Sequence, residues 1–88
     1  MIIFDTTSAI QFAKLLENNI TNVHEIIYFN DGTQLQKVKH IQATYEDFEC
    51  NGMFTRVFSG LVMTLSNTVT LHINVLKKHI RQFDQHNQ

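Results

Sequence analysis

Residues 41–65 read IQATYEDFECNGMFTRVFSGLVMTL, and the Asn51-Gly52 pair near their middle decides the fold. Asn-Gly accepts positive φ at both central positions of a type I′ turn, the turn whose twist matches that of paired strands. The flanking stretches, Ile41–Cys50 and Met53–Leu65, are rich in β-branched and aromatic residues, the composition that fits a pleated, half-buried surface. A long β-hairpin follows, and the other segments read as strands and helices added to it.

Within the hairpin, Ile41, Ala43 and Tyr45 alternate; the phase then slips, and Phe48 and Cys50 alternate. One extra residue near Glu46-Asp47 restores the register, which predicts a β-bulge there; the alternative is a turn that splits the strand. In Met53–Leu65, Gly60 predicts a bend or a close backbone approach. This strand reads as apolar on both faces, with Met53, Val57, Leu61, Met63 and Leu65 on one and Phe54, Phe58 and Val62 on the other. An antiparallel strand with one wet face alternates apolar and polar, so the second face calls for a cover: the protein's own core, or a partner chain over Phe54 and Phe58.

Before the hairpin, Met1–Phe4 reads as a first strand or an apolar plug. Ser8 and Gln11 match a capping box, and Ala9, Phe12, Ala13, Leu16 and Ile20 recur on one face of a helix that stops at Asn18-Asn19. Glu25–Phe29 reads as a strand, Asn30-Asp31-Gly32 as a tight turn, and Thr33–Ile41 as the returning strand, with its continuity between Lys39 and Ile41 left open. After the hairpin, Ser66-Asn67 is a turn and Thr68–Ile73 alternates, with Val69, Leu71 and Ile73 inward. From Asn74 the apolar period changes: Val75, Leu76, His79, Ile80 and Phe83 predict a C-terminal helix capped by Asn74, fraying over residues 84–88. The expected fold is α+β: a single domain over residues 1–88, with a strongly bent antiparallel sheet or open barrel of about five strands and an N-terminal and a C-terminal helix.

The totals narrow the function classes. A chain of 88 residues makes one small domain. A formal charge of −1 gives no bulk field toward nucleic acid or an anionic membrane. The lone cysteine, Cys50, permits no internal disulfide and suits a reducing compartment. Neither a signal-peptide pattern nor a membrane-length apolar run is present, so the expected location is cytoplasmic.

Chemical motifs are sparse. His24, His40, His72, His79 and His86 show no metal-ligand spacing on a helix. No histidine is placed beside Cys50 to activate it, no Gly-rich loop offers a phosphate cradle, and Asp5, Asp31 and Asp47 form no defensible carboxylate pair. No catalytic residue, metal or cofactor is implied. Two charged clusters remain. Tyr45, Glu46, Asp47, Phe48 and Glu49 form an acidic-aromatic strip, readable as a solvated strand end or as a contact surface for a basic protein partner. Lys77, Lys78, His79 and Arg81 give the expected last helix a basic side, and Lys37 and Lys39 add charge elsewhere.

The leading expectation is a non-enzymatic protein-interaction module whose partner, another protein or a second copy of itself, covers Phe54, Phe58 and the Tyr45–Glu49 strip. In size and amide-rich, proline-free composition the chain looks like accessory proteins of phages and mobile elements, many of which inhibit a host or defence protein by binding it. The alternative is a small nucleic-acid-binding barrel using Lys37, Lys39, Lys77, Lys78 and Arg81, with phosphate contacts and base stacking. An enzyme or small-ligand binder needs convergent polar groups in a pocket, and the sequence by itself places none together.

Overall fold

The Asn51-Gly52 hairpin dominates the computed structural model, which describes residues 1–19 and 26–84. Two long strands form it, β3 over Leu35–Cys50 and β4 over Met53–Leu65, and Asn51 and Gly52 both take positive φ, 52° and 80°. The other strands are β1 (Ile2–Phe4), β2 (Ile27–Asn30), β5 (Val69–Asn74) and β6 (His79–Asp84). The single helix among the described residues, α1, spans Ala9–Leu16. Ile20, His24, Glu25, His86 and the rest of the expected fraying end, residues 85–88, lie outside the described residues.

The six strands run β1-β2-β3-β4-β5-β6 across one sheet, so β1 and β6 are its two edges. From β2 onward every pairing is antiparallel. β1 pairs with β2 in parallel, Phe4 opposite Phe29, and a parallel pair needs a long crossover; α1 lies within it. The expected antiparallel sheet or open barrel of about five strands with flanking N- and C-terminal helices is therefore corrected to a six-stranded mixed sheet, not closed, with one short helix.

The C-terminal helix is the largest correction. Asn74 does what an N-cap does: its Oδ1 accepts the backbone N–H groups of Leu76 and Lys77, at 3.0 and 2.8 Å. The chain then reverses through Lys78, at φ 57°, and residues 79–84 return along β5. Val75, Leu76, His79, Ile80 and Phe83 suit a helix by spacing. As a strand, however, the same segment pairs all of β5 from Val69 to Asn74, where β5 would otherwise be an open edge.

Two irregularities set which side chains face the core. β3 carries one extra residue at Lys39, which lets Val38 and Ile41, three apart, both point inward. β4 carries one at Ser59, opposite the Thr44–Tyr45 step. The bulge expected near Glu46-Asp47 is thus on the partner strand, because an unpaired residue on either strand shifts their relative phase. The Ser59 bulge also corrects the two-faced reading of β4: it moves Phe58 onto the side of Leu61, Met63 and Leu65, and leaves Val57 on the side of Val62. No change of phase occurs within Tyr45–Cys50; Phe48 and Cys50 simply point to the other side of the ribbon, exposed.

α1 packs against β4, β5 and β6, burying Ala9, Ala13 and Leu16 in a core with Phe29, Ile27, Leu61, Met63, Leu65 and Leu71. Its start is held differently from the expected capping box. Ser8 stands at the N-cap without a side-chain cap bond. Asp5 Oδ1 instead accepts from the Thr7 hydroxyl and from the Ser8 N–H and hydroxyl, which lowers the Asp5 pKa, the Thr7 hydroxyl first. α1 covers only one face of the sheet. The other carries Thr44, His72, Arg81 and Phe83 and no helix among the described residues.

Candidate functional site

The hairpin runs well past the sheet that supports it. β2 pairs with β3 only over Leu35–Lys37, and β5 pairs with β4 only over Gly60–Thr64. From the Tyr45–Phe58 pair to the Cys50–Met53 pair the two strands form a ribbon of their own, about 20 Å long at strand rise. Both edges of this arm are unpaired among the described residues.

The register brings the expected interaction residues together on the arm. Tyr45, Asp47, Glu49, Phe54 and Arg56 share one face; Glu46, Phe48, Met53 and Val57 share the other. Tyr45 is 54%, Phe48 49%, Met53 73% and Phe54 73% exposed, whereas Phe58 is only 9% exposed. Phe58 thus sits at the root, inside the core, with the Tyr45 ring against it edge-on at 6.2 Å. The sequence puts Met53 on a strand face but not in the surface patch; its place beside Cys50 at the tip follows only from the turn. Across the arm, Arg56 Nε donates to Asp47 Oδ1 at 3.2 Å, both side chains largely exposed, so the pair adds little stability. Glu46 and Glu49 remain without an ion pair among the described residues. Cys50 is a free, exposed thiol at the tip.

The five cations of the nucleic-acid alternative fall into two groups. Lys37 and Lys39 lie at the β3 end that meets Leu65, and Lys77, Lys78 and Arg81 lie in and after the β5–β6 turn. In the β4–β5 ladder these are opposite ends, since Asn74 pairs with Gly60 and Thr70 with Thr64. No basic helix carries them. The sheet does gather a different set on the face away from α1: a depression of about 370 Å³ lined by Thr44, Glu46, Ser59, His72, Lys77, Arg81 and Phe83 among others. His72 meets the Phe83 ring edge-on at 4.8 Å, and the Arg81 guanidinium stands 5.1 Å from the same ring. Thr44 and Ser59 hydroxyls are 2.9 Å apart. The outward alternation of His72 was legible in Thr68–Ile73; its neighbours Arg81 and Phe83 were hidden by the helical reading of their segment.

Among the described residues no group of three or more His, Cys, Asp or Glu side chains could hold a metal ion, and no helix is long and apolar enough to cross a membrane. No known protein family, characterised protein or solved structure matches the chain closely enough to show a relationship.

Proposed function

We propose that the protein is a non-enzymatic interaction module that docks on another protein through its β3–β4 arm. The observation that carries this reading is the arm itself: a ribbon whose two edges are open among the described residues and that exposes Tyr45, Phe48, Met53 and Phe54 beyond its buried root at Phe58. Exposed apolar clusters rimmed by polar groups mark contact sites, and unpaired strand edges add backbone hydrogen bonds to a partner strand. Glu46, Asp47 and Glu49 against the single cation Arg56 give the arm a net negative charge, which suits a partner with a basic surface. Acting this way, it inhibits a host or defence protein by covering its surface. A reducing compartment such as the cytoplasm keeps Cys50 at the arm tip a thiol.

The test pairs wild type with a Phe48→Asp/Phe54→Asp variant. Both positions are exposed, so the variant is expected to keep its fold, checked by circular dichroism. Affinity capture from the cognate cell, followed by light scattering of the reconstituted complex, should give a defined complex with the wild type and none with the variant. Retention of the same complex by the variant overturns the reading. A wild type that self-associates through the arm, dissociating in the variant, replaces the foreign partner with a second copy of the chain.

A further inference from the structure

The depression on the uncovered face points to a second site, which shares Glu46 with the root of the arm, and we infer that it binds a nucleoside phosphate, free or as a unit of a single strand. Its cationic side is Lys77, in the turn between β5 and β6, and Arg81 on β6; His72 and His79 bring ring nitrogens beside them on the facing strands, with His72 opposite Arg81 and Asn74 opposite His79. None of these four is in an ion pair among the described residues. Lysine and arginine gathered at a concave surface without a carboxylate partner repel one another, and an anion relieves that repulsion. Arginine's planar fork and the lysine ammonium are the side chains that hold phosphate oxygens; the Thr44 and Ser59 hydroxyls in the floor are hydrogen-bonded to each other, 2.9 Å apart.

A bare anion leaves one feature unused. His72, Arg81 and Phe83 form a cluster of flat groups beside the cations, with the ring contacts described above. Aromatic rings, imidazoles and guanidinium planes are the surfaces on which nucleobases stack. A ligand with a flat ring next to a phosphate uses both halves of the depression. Glu46 stands on the opposite side, on β3, separated from β6 by β4 and β5. Its charge opposes the phosphate and fixes which end of the ligand lies toward β6.

The structure builds this site where the sequence placed none. The Ser59 bulge puts an extra residue into β4 where it meets Thr44, and the Ser59 carbonyl accepts the Val75 N–H at 2.8 Å. That bond ties the β5–β6 turn, with Lys77, to the wall of the depression.

The inference is tested by titrating the isotopically labelled protein at low salt with inorganic phosphate, uridine monophosphate and an oligouridylate of about nine nucleotides. Uridine monophosphate should give saturable amide shifts confined to residues 44–46, 59 and 72–83, with affinity falling as salt rises. Arg81→Gln should weaken binding by roughly tenfold or more, Phe83→Ala should abolish the preference for the nucleotide over inorganic phosphate, and Glu46→Gln should tighten binding. Lys37→Gln should change nothing. Tighter binding of the oligomer identifies a single strand as the source of the nucleotide; equal affinity identifies the free nucleotide. Absence of saturable shifts, equal binding of phosphate and nucleotide, or equal losses in Arg81→Gln and Lys37→Gln overturn the inference. Arg81 is exposed on an edge strand, so its variant reports on binding even if Phe83→Ala disturbs β6.

Discussion

Gly60 and Ile73 are in backbone contact: a Cβ placed on Gly60 would stand 1.8 Å from the Ile73 carbonyl oxygen. Gly60 also has φ 153°, a conformation L side chains rarely adopt. It follows the Ser59 bulge at the point where the arm leaves the sheet. Gly60→Ala must therefore push β5 away and strain the backbone together, and should destabilise the fold by about 3 kcal/mol or more. Urea denaturation measures this; a change under about 1 kcal/mol would show that the strands are not so close.

Phe54 and Phe58 separate surface from core within one strand. Phe58→Ala should cost about 3 kcal/mol or more, through lost burial and a cavity. Phe54→Ala should cost no more than about 0.5 kcal/mol, because its ring is exposed on the arm. Equal losses in the two variants would mean that the two rings, on one face of the ribbon, share one environment and that the arm does not leave the core at Phe58.

Lys78 gives opposite signs for the two readings of the C-terminal segment. At φ 57° it ends the β5–β6 turn, a conformation that costs a non-glycine residue roughly 1–2 kcal/mol. Lys78→Gly should therefore stabilise the protein by about 0.5–1 kcal/mol, after allowing for glycine's entropy. In a helix interior the same change would destabilise by about 1 kcal/mol. The sign of the shift in denaturation midpoint decides between hairpin and helix.

Acid should loosen the β2–β3 turn. Asp31 Oδ1 accepts the Gln34 and Thr33 N–H groups and the Thr33 hydroxyl, and these bonds, Gln34's first, lower its pKa from 3.8 to about 2. A carboxylate with a depressed native pKa contributes stability that is present above its unfolded value and is lost as pH falls through the native one. Stability should fall between about pH 4 and pH 2, and Asp31→Asn should flatten that part of the profile. An unchanged slope in the variant would remove Asp31 as a contributor.

Cys50 should react with a maleimide in the native protein without denaturant, since it is exposed at the arm tip. Label on the wild type should block the arm-dependent complex, whereas Cys50→Ser, left unlabelled, should retain it. Slow labelling under native conditions would place the tip against something the isolated chain does not show.

Local chemistry alone determined the turns. Asn51-Gly52, Asn30-Asp31-Gly32 and Ser66-Asn67 are read from residues that accept unusual φ or bind their own backbone, and those preferences act over a few residues. The long hairpin and the inward set Val69, Leu71 and Ile73 follow from strand alternation between such turns, and the acidic-aromatic arm was visible as a strip for the same reason. The rest depended on partners distant in sequence. Residues 75–84 satisfy a helical period and a strand pairing alike, and the open edge of β5 selected the strand. Whether Phe58 is core or surface was set by one extra residue, Ser59, on β4, and the alternation of a single strand cannot say which member of a pair carries the extra residue. Ile2–Phe4 became a strand only because β2 offered it an edge. The depression joins Thr44, Ser59, His72, Lys77, Arg81 and Phe83 from four strands and a turn; its chemistry exists only once the sheet has brought them together.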